Sequence, residues 1–417
     1  MAQENAPAWN QFRVLEMIDP VELIRLTRDM VRIPSHPDYP GKEIEVAQFI
    51  CDWLKREGLR AELQPASGGT RPNVVAWLKG QEGGRSSAPA GRTLMLNGHM
   101  DTVPPYSMDI DPFGGDVRDG RLYGRGSVDM KGALAAMMVA LASIKRSGVP
   151  LGGDIVFTAV VDEELRGEGT EDVIKRGTRA DGAIVGEPTE LNLAAGHRGL
   201  DWLEITVHGR ATHSGEMEKG INAISKAAKL IRAIEEEILP RFKTRGHSLL
   251  GLPRLNFGVI QGGTQPSTVA DVCRIQIDRR STPIETSKTI FEDFLEVFSR
   301  LSADDPDFRA EISRLPSSQA TMDHLAFATP LEDPIVKSLS DAAMTVLGHE
   351  PPVVAFPAWS DGGLLAVHAG IPTVVFGPGS LGCAHSRVEW VEVDQLVAAA
   401  RIYAVTACRF CSPAEAP

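Results

Sequence analysis

Uninterrupted apolar, β-rich runs recur along the first half of the chain, at 73–78 (NVVAWL), 93–97 (TLMLN), 154–161 (DIVFTAVV) and 182–186 (GAIVG). They alternate with stretches of helical apolar spacing at 20–34, 43–57, 131–146 and 170–177. A strand that is apolar on both faces must be covered on both, so this alternation predicts an α/β layered domain. The Gly/Ser/Pro-rich segment Gly80–Arg92 reads as an exposed loop between two of the strands.

Near Asp201 the texture changes. The following residues, to about 321, read as strand, long helix, two strands, helix and strand, the order of a ferredoxin-like split βαβ unit. Beyond Leu325 the first texture returns, with a helix at 333–347, a short strand at 353–356, the buried run IPTVVFG at 371–377 and a last helix from Val393. At 417 residues the chain exceeds what one core usually supports. The expected division is a discontinuous domain, 1–200 and 322–417, interrupted by an inserted domain at 201–321.

Several of the buried runs end on chemistry. LMLNGHMDTVPP places His99 and Asp101 two apart just past a strand, on one side of its end, where α/β folds bind ligands. LYGRGSVDMKG leads through a glycine-rich turn to Asp129. FTAVVDEELRGEG ends the most apolar strand in Asp162, Glu163 and Glu164, an expensive place for three carboxylates unless cations offset their repulsion. AIVGEPT presents Glu187, and GPGSLGCAHSRVEWV carries His385 in a glycine-rich loop. Each has a bland reading: a surface pair for His99 and Asp101, a helix N-cap for Asp129, a solvated acidic loop for 162–164. The conjunction is what counts. His, Asp and Glu without Cys suit a hydrolytic pair of zinc, cobalt or manganese ions.

Composition narrows the partners. A formal net charge of −12 argues against a nucleic-acid or anionic-membrane surface, which needs a basic footprint. The apolar stretch Gly132–Ile144 is too short to span a bilayer. The N-terminal residues show no basic region followed by an apolar one, so no secretory signal is expected. Five cysteines, an odd number, argue against a disulfide framework, and a reducing cytoplasm is the expected compartment. Cys408 and Cys411 form a CxxC with no second pair to complete a zinc site.

Taken in order, GHMDTVPP, GRGSVDMKG, DEE, GEPT and the late histidine resemble the zinc aminoacylase and carboxypeptidase family, which includes acetylornithine deacetylase, succinyl-diaminopimelate desuccinylase and bacterial glutamate carboxypeptidases. The resemblance spans nearly the whole chain. It implies a di-zinc, mixed-sheet catalytic domain of the aminopeptidase/carboxypeptidase type with an inserted lid and dimerisation domain. One metal would be held by His99 and Glu187 and the other by Glu164 and His385, with Asp129 bridging, Glu163 as general base and Asp101 orienting His99. A cis peptide at Asp129–Met130 is implied as well.

In the insertion, GRATHSGEMEKGINAI resembles the segment whose histidine, here His213, polarises the scissile carbonyl in a neighbouring subunit; taken alone, His213 reads equally as a capping or surface histidine. DRRSTP resembles the segment whose arginine, here Arg280, binds a substrate carboxylate; taken alone, Arg280 reads as a strand-edge arginine paired with a local acid such as Asp278. GGTQPSTVAD carries Ser267 and Ala270 where the family has asparagine and proline, which leaves the Ser267 contact open. His197 and Arg198 are further candidates to line the cleft, and Asp361 reads first as an N-cap for the helix after it and second as a support of the metal site. The implied activity is hydrolysis of an N-acyl amino acid amide, by a homodimer joined through the inserted domain. A dipeptidase or carboxypeptidase with the same metals, and an inactive small-molecule binding protein of the same fold, are the alternatives.

Overall fold

The computed structural model describes residues 11–80, 91–316 and 321–412. Residues 81–90 of the segment read as a loop lie outside the described residues. The chain divides into two compact units: 1–196, 329–356 and 360–417 form the first, and 197–328 with 357–359 the second.

The first unit is built on a mixed sheet. Its strands include, in order, Arg60–Ala66, Arg71–Leu78, Ile155–Val160, Leu94–His99, Gly182–Val185, Thr373–Val375 and Leu193–His197, with Val353–Phe356 paired to the last. The four in the middle are parallel to one another. Leu94–His99 and Ile155–Val160 are buried along their full length, as uninterrupted apolar runs require. The helix Gly132–Ser147 is buried almost throughout, a core helix despite its apolar length. The register is what matters for function. His99 pairs with Val160 and Asn97 with Val185, so these strands end level with one another. Whatever follows them in sequence emerges at one edge of the sheet.

A small sheet of Val117–Arg118, Arg121–Tyr123 and Trp390–Glu392 also belongs to this unit. Sequence reading did not separate it, although Asp119-Gly120, both at positive φ, is a hairpin-turn pair.

The second unit is an antiparallel sheet in the order Arg254–Gly262, Val272–Arg280, Asp201–His208, Arg309–Arg314. The helices Ala223–Glu237 and Ser287–Asp304 supply its other layer, with Leu230, Ile234, Phe294 and Val297 packed on Leu203, Ile205, Ile275 and Ile277. Strand order and connection match the ferredoxin-like unit. Asn222 and Thr286 cap the two helices, accepting from Ser225 and Thr289 N–H groups.

Candidate metal centre

Five of the expected ligands converge at the sheet edge of the first unit. His99 Nε2 lies 3.0 Å from Asp129 Oδ1 and 3.5 Å from Glu187 Oε1. His385 Nε2 lies 3.3 Å from Asp129 Oδ2 and 3.1 Å from Glu164 Oε2. The two oxygens of Asp129 therefore face two different imidazoles. Glu163 Oε2 stands 3.9 Å from His99 Nε2. Two sets, His99 with Glu163 and Glu187, and His99 with Asp129 and Glu164, bring all their donor atoms within 4.8 Å of one another. His99, Asp129 and Glu187 are buried, whereas His385 is half exposed.

Local sequence explains how these side chains are aimed. Gly98 and Gly186 precede His99 and Glu187, and both lie against the Met130 methyl. A Cβ there would meet it at 2.4 and 2.7 Å, so any larger residue would force the Met130 side chain to shift. Met130 follows Asp129 through a cis peptide, as the family resemblance implies. Asp129 sits in the non-helical turn ahead of Gly132–Ser147 and does not cap it. Asp162, at φ +69°, turns the strand end so that its carbonyl accepts the N–H groups of Arg166 and Gly167 at 3.0 and 2.7 Å.

Asp101 departs from the arrangement expected for it. Its carboxylate is 3.7 Å from His99 Nδ1, beyond a hydrogen bond, and its backbone oxygen meets that nitrogen at 2.9 Å. The carboxylate instead accepts the N–H groups of Glu163 and Glu164, at 3.2 and 3.0 Å. It holds the loop that carries both glutamates.

Electrostatics describe a cluster short of cations. Burial and, after the offset from His99, the Glu187 carboxylate hold Glu163 well above the usual carboxylate range. Burial and the Asp129 carboxylate do the same to Glu187. Burial opposes charging of His99, but Glu187, Asp129 and Glu163 outweigh it and raise its pKa well above ordinary. His385 is pushed up to about 10 by hydrogen bonds to Asp129 and Glu164. Burial disfavours the Asp129 carboxylate, yet its bonds to His385 and His99 pull its pKa down. The donor set is of the kind that divalent cations prefer.

Residues beyond the sequence candidates support the cluster. Glu389, fully buried, accepts the N–H groups of Val128 and Asp129 at 3.1 and 3.3 Å and pairs with Arg125. Arg71 joins Asp162 at 2.5 Å and also pairs with Glu43, all three buried. Asp361 is no side-chain cap, since its buried Oδ1 meets no donor among the described residues. Its carboxylate accepts from Thr170 at 2.8 Å, and burial pushes its pKa up to about 7. A charged group set between apolar residues just ahead of a short strand, as in VEWV, was the available signal for Glu389.

The remaining candidates lie in the second unit. His213 is exposed, and its Nδ1 accepts the N–H of Gly215 at 3.1 Å, a capping geometry. Ser267, also exposed, is its neighbour, accepting the Ser214 N–H at 2.9 Å through its backbone oxygen. Arg280 forks onto Asp278 at 2.7 and 2.9 Å. His197 is buried edge-on against Phe327.

Residues 95–409 match the family described as Peptidase family M20/M25/M40. The chain is 31% identical to N-formyl-4-amino-5-aminomethyl-2-methylpyrimidine deformylase of Halalkalibacterium halodurans over 400 residues, covering 90% of this chain and 91% of that one. It is 29% identical to acetylornithine deacetylase of Myxococcus xanthus over 395 residues, covering 94% and 96%. The fold matches aminopeptidase PepT of Bacillus cereus at a TM-score of 0.75 and 21% identity, covering 94% of this chain and 99% of that one. It also matches the YXEP protein of Bacillus subtilis, described as a dinuclear metal-binding peptidase, at 0.70 and 17%, covering 93% and 97%. With these matches and a buried cluster of metal-competent donors, the chain belongs to Peptidase family M20/M25/M40 and is a metallohydrolase of amide or peptide bonds.

Proposed function

We propose that the protein hydrolyses the amide of an N-acyl amino acid, using two divalent cations, zinc or alternatively cobalt or manganese. The observation that carries this reading is the division of the Asp129 oxygens between His99 and His385. His99 and Glu187 would hold one ion, Glu164 and His385 the other, and Asp129 would contact both. The ions acidify water and polarise the amide carbonyl when bound.

Glu163 then takes the proton of the attacking water and delivers it to the leaving nitrogen. Burial raises the pKa of Glu163, and a cation beside it would lower it again, which suits a carboxylate that both accepts and returns a proton. Asp101 keeps Glu163 and Glu164 in register by binding both N–H groups. Arg280 binds the substrate carboxylate, and His213 polarises the carbonyl from a partner subunit. Ser267, beside His213, contributes a hydroxyl to the same turn.

The N-acyl preference draws on the deformylase and deacetylase relatives, which act on N-acyl groups. Homodimerisation through the inserted unit draws on its edge strand Arg254–Gly262, where Val259 and Ile260 are exposed. A reducing cytoplasm suits the five free cysteines.

A panel of N-formyl, N-acetyl, N-succinyl and dipeptide substrates tests the reading. Turnover of N-acyl amino acids above dipeptides is expected, with Glu163→Gln keeping its metal and losing on the order of 10²–10⁴-fold in kcat. Faster dipeptide cleavage would overturn the substrate class. Near-normal turnover by Glu163→Gln would overturn the base.

A further inference from the structure

The inserted unit contains a cavity of about 640 Å³ with a strongly unbalanced lining. Arg198, Lys243, Arg254 and Arg280 face it, and Asp278 is the one carboxylate among the lining residues. Four cations thus stand against a single anion. In the sheet register Arg254 is directly opposite Arg280, an arrangement that destabilises a strand pair unless something negative lies between them.

Two of these guanidiniums are held in place. Arg198 donates from Nε to the Leu252 carbonyl at 3.0 Å and from Nη2 to that of Leu250. Gly251, at φ +72°, lets the loop wrap this closely, since a Cβ there would lie 3.1 Å from Arg198 Nη2. Arg280 is fixed by its fork on Asp278 through Nε and Nη2. Neither set of bonds uses Nη1. Among the described residues the Arg254 guanidinium has no hydrogen-bond or ion-pair partner. Burial, then Arg254 and Arg280, lower the pKa of Arg198, so the three arginines feel one another.

We infer that this cavity binds a small organic dianion, a dicarboxylate, and that it selects substrates whose acidic end carries two carboxylates. A monocarboxylate bound to Arg280 alone leaves Arg198, Arg254 and Lys243 uncompensated. A second carboxylate gives Arg254 its missing partner in the bidentate geometry that guanidinium favours. The apolar wall of Leu239, Phe242 and Leu255 suits a methylene chain between the two groups, which inorganic phosphate lacks.

The selection of substrate rests on the amidohydrolase reading, whereas the binding does not, and the two are separated by calorimetry beside kinetics. The metal-loaded full chain is titrated with glutarate, butyrate and inorganic phosphate. Glutarate is expected to bind about 10-fold or more tighter than butyrate and tighter than phosphate. Arg254→Gln and Lys243→Gln, each checked for native circular dichroism, are expected to lower glutarate affinity about 10-fold and leave butyrate within about 2-fold. Preference for N-acetylglutamate over N-acetyl-2-aminobutyrate in kcat/KM should fall in parallel. Equal affinity for glutarate and butyrate, tighter phosphate, or folded variants that bind glutarate as well as wild type would each overturn the inference. Glutarate binding that persists through Arg254 without turnover of any amide would sink the hydrolase reading and sustain the pocket.

Discussion

Glu389 accepts the backbone N–H of Asp129 at 3.3 Å, across 260 residues of chain. The same carboxylate takes the N–H of Val128 and the guanidinium of Arg125. The turn that presents the Asp129 carboxylate is therefore built by a buried charge from near the other end of the sequence. The loop of His385 is four residues upstream of that charge, and Arg125 Nη2 also reaches the Ser386 carbonyl at 3.5 Å. Asp129 and His385 are positioned by one structure.

Replacing Glu389 by alanine leaves Arg125 buried without its partner and two N–H groups without an acceptor. A loss of stability on the order of 3–5 kcal/mol is expected, because an uncompensated buried charge is the dominant cost. Chemical denaturation reads this, and metal content should fall with it. Glu389→Gln keeps the acceptor and should lose less. A variant as stable and as metal-rich as wild type would contradict the account.

Asp101→Asn tests whether this residue holds the glutamate loop. An amide has one acceptor oxygen, so one of the N–H groups of Glu163 and Glu164 loses its partner. The expected result is a fall in kcat of about 10-fold or more, with KM changed much less, as positioning of the base is lost. Unchanged kcat in a folded, metal-loaded variant would show that the loop does not depend on Asp101.

Stability should respond to pH in opposite directions with and without metal. Burial pushes Asp361 and Glu389 up to about 7, from ordinary values of 3.8 and 4.5. Asp101 is likewise raised to about 6. A carboxyl raised in the folded state contributes stability that is complete below its unfolded pKa and lost as pH rises through its folded one. Metal-free protein should therefore lose stability between pH about 4 and about 7. Lys131, lowered to about 7 by burial, has its effect between about 7 and its ordinary 10.5, outside that window. With saturating cobalt the trend should reverse, because ligands must shed protons to bind. Urea midpoints at about pH 5 and pH 7 decide it. A metal-free midpoint that rises with pH would contradict the charges assigned here.

Much of this centre was legible because strand ends are legible. An apolar run that stops on His99, Glu163 or Glu187 marks both a buried strand and its functional edge, and the parallel register then brings the ends level. The split of the fold was readable from the switch between continuous and alternating apolar patterns, as in Leu203, Ile205 and Val207. What escaped were partnerships made by packing. Arg71 and Asp162 are 91 residues apart, Arg125 and Glu389 264, and neither pair has a local spacing to betray it. Asp361 read as a helix cap because its position suits one, yet its carboxylate turns to the Thr170 hydroxyl instead. Asp101 was aimed at the wrong partner, since a two-residue spacing does not say whether a side chain or its backbone oxygen meets His99.

The most direct measurement is metal stoichiometry on wild type and on Asp129→Ala, by elemental analysis after equilibration with zinc. Wild type should hold two ions per chain, and the variant should lose both together, since Asp129 faces both imidazoles. One ion in wild type, or a variant that retains two, would contradict a carboxylate shared between paired cations.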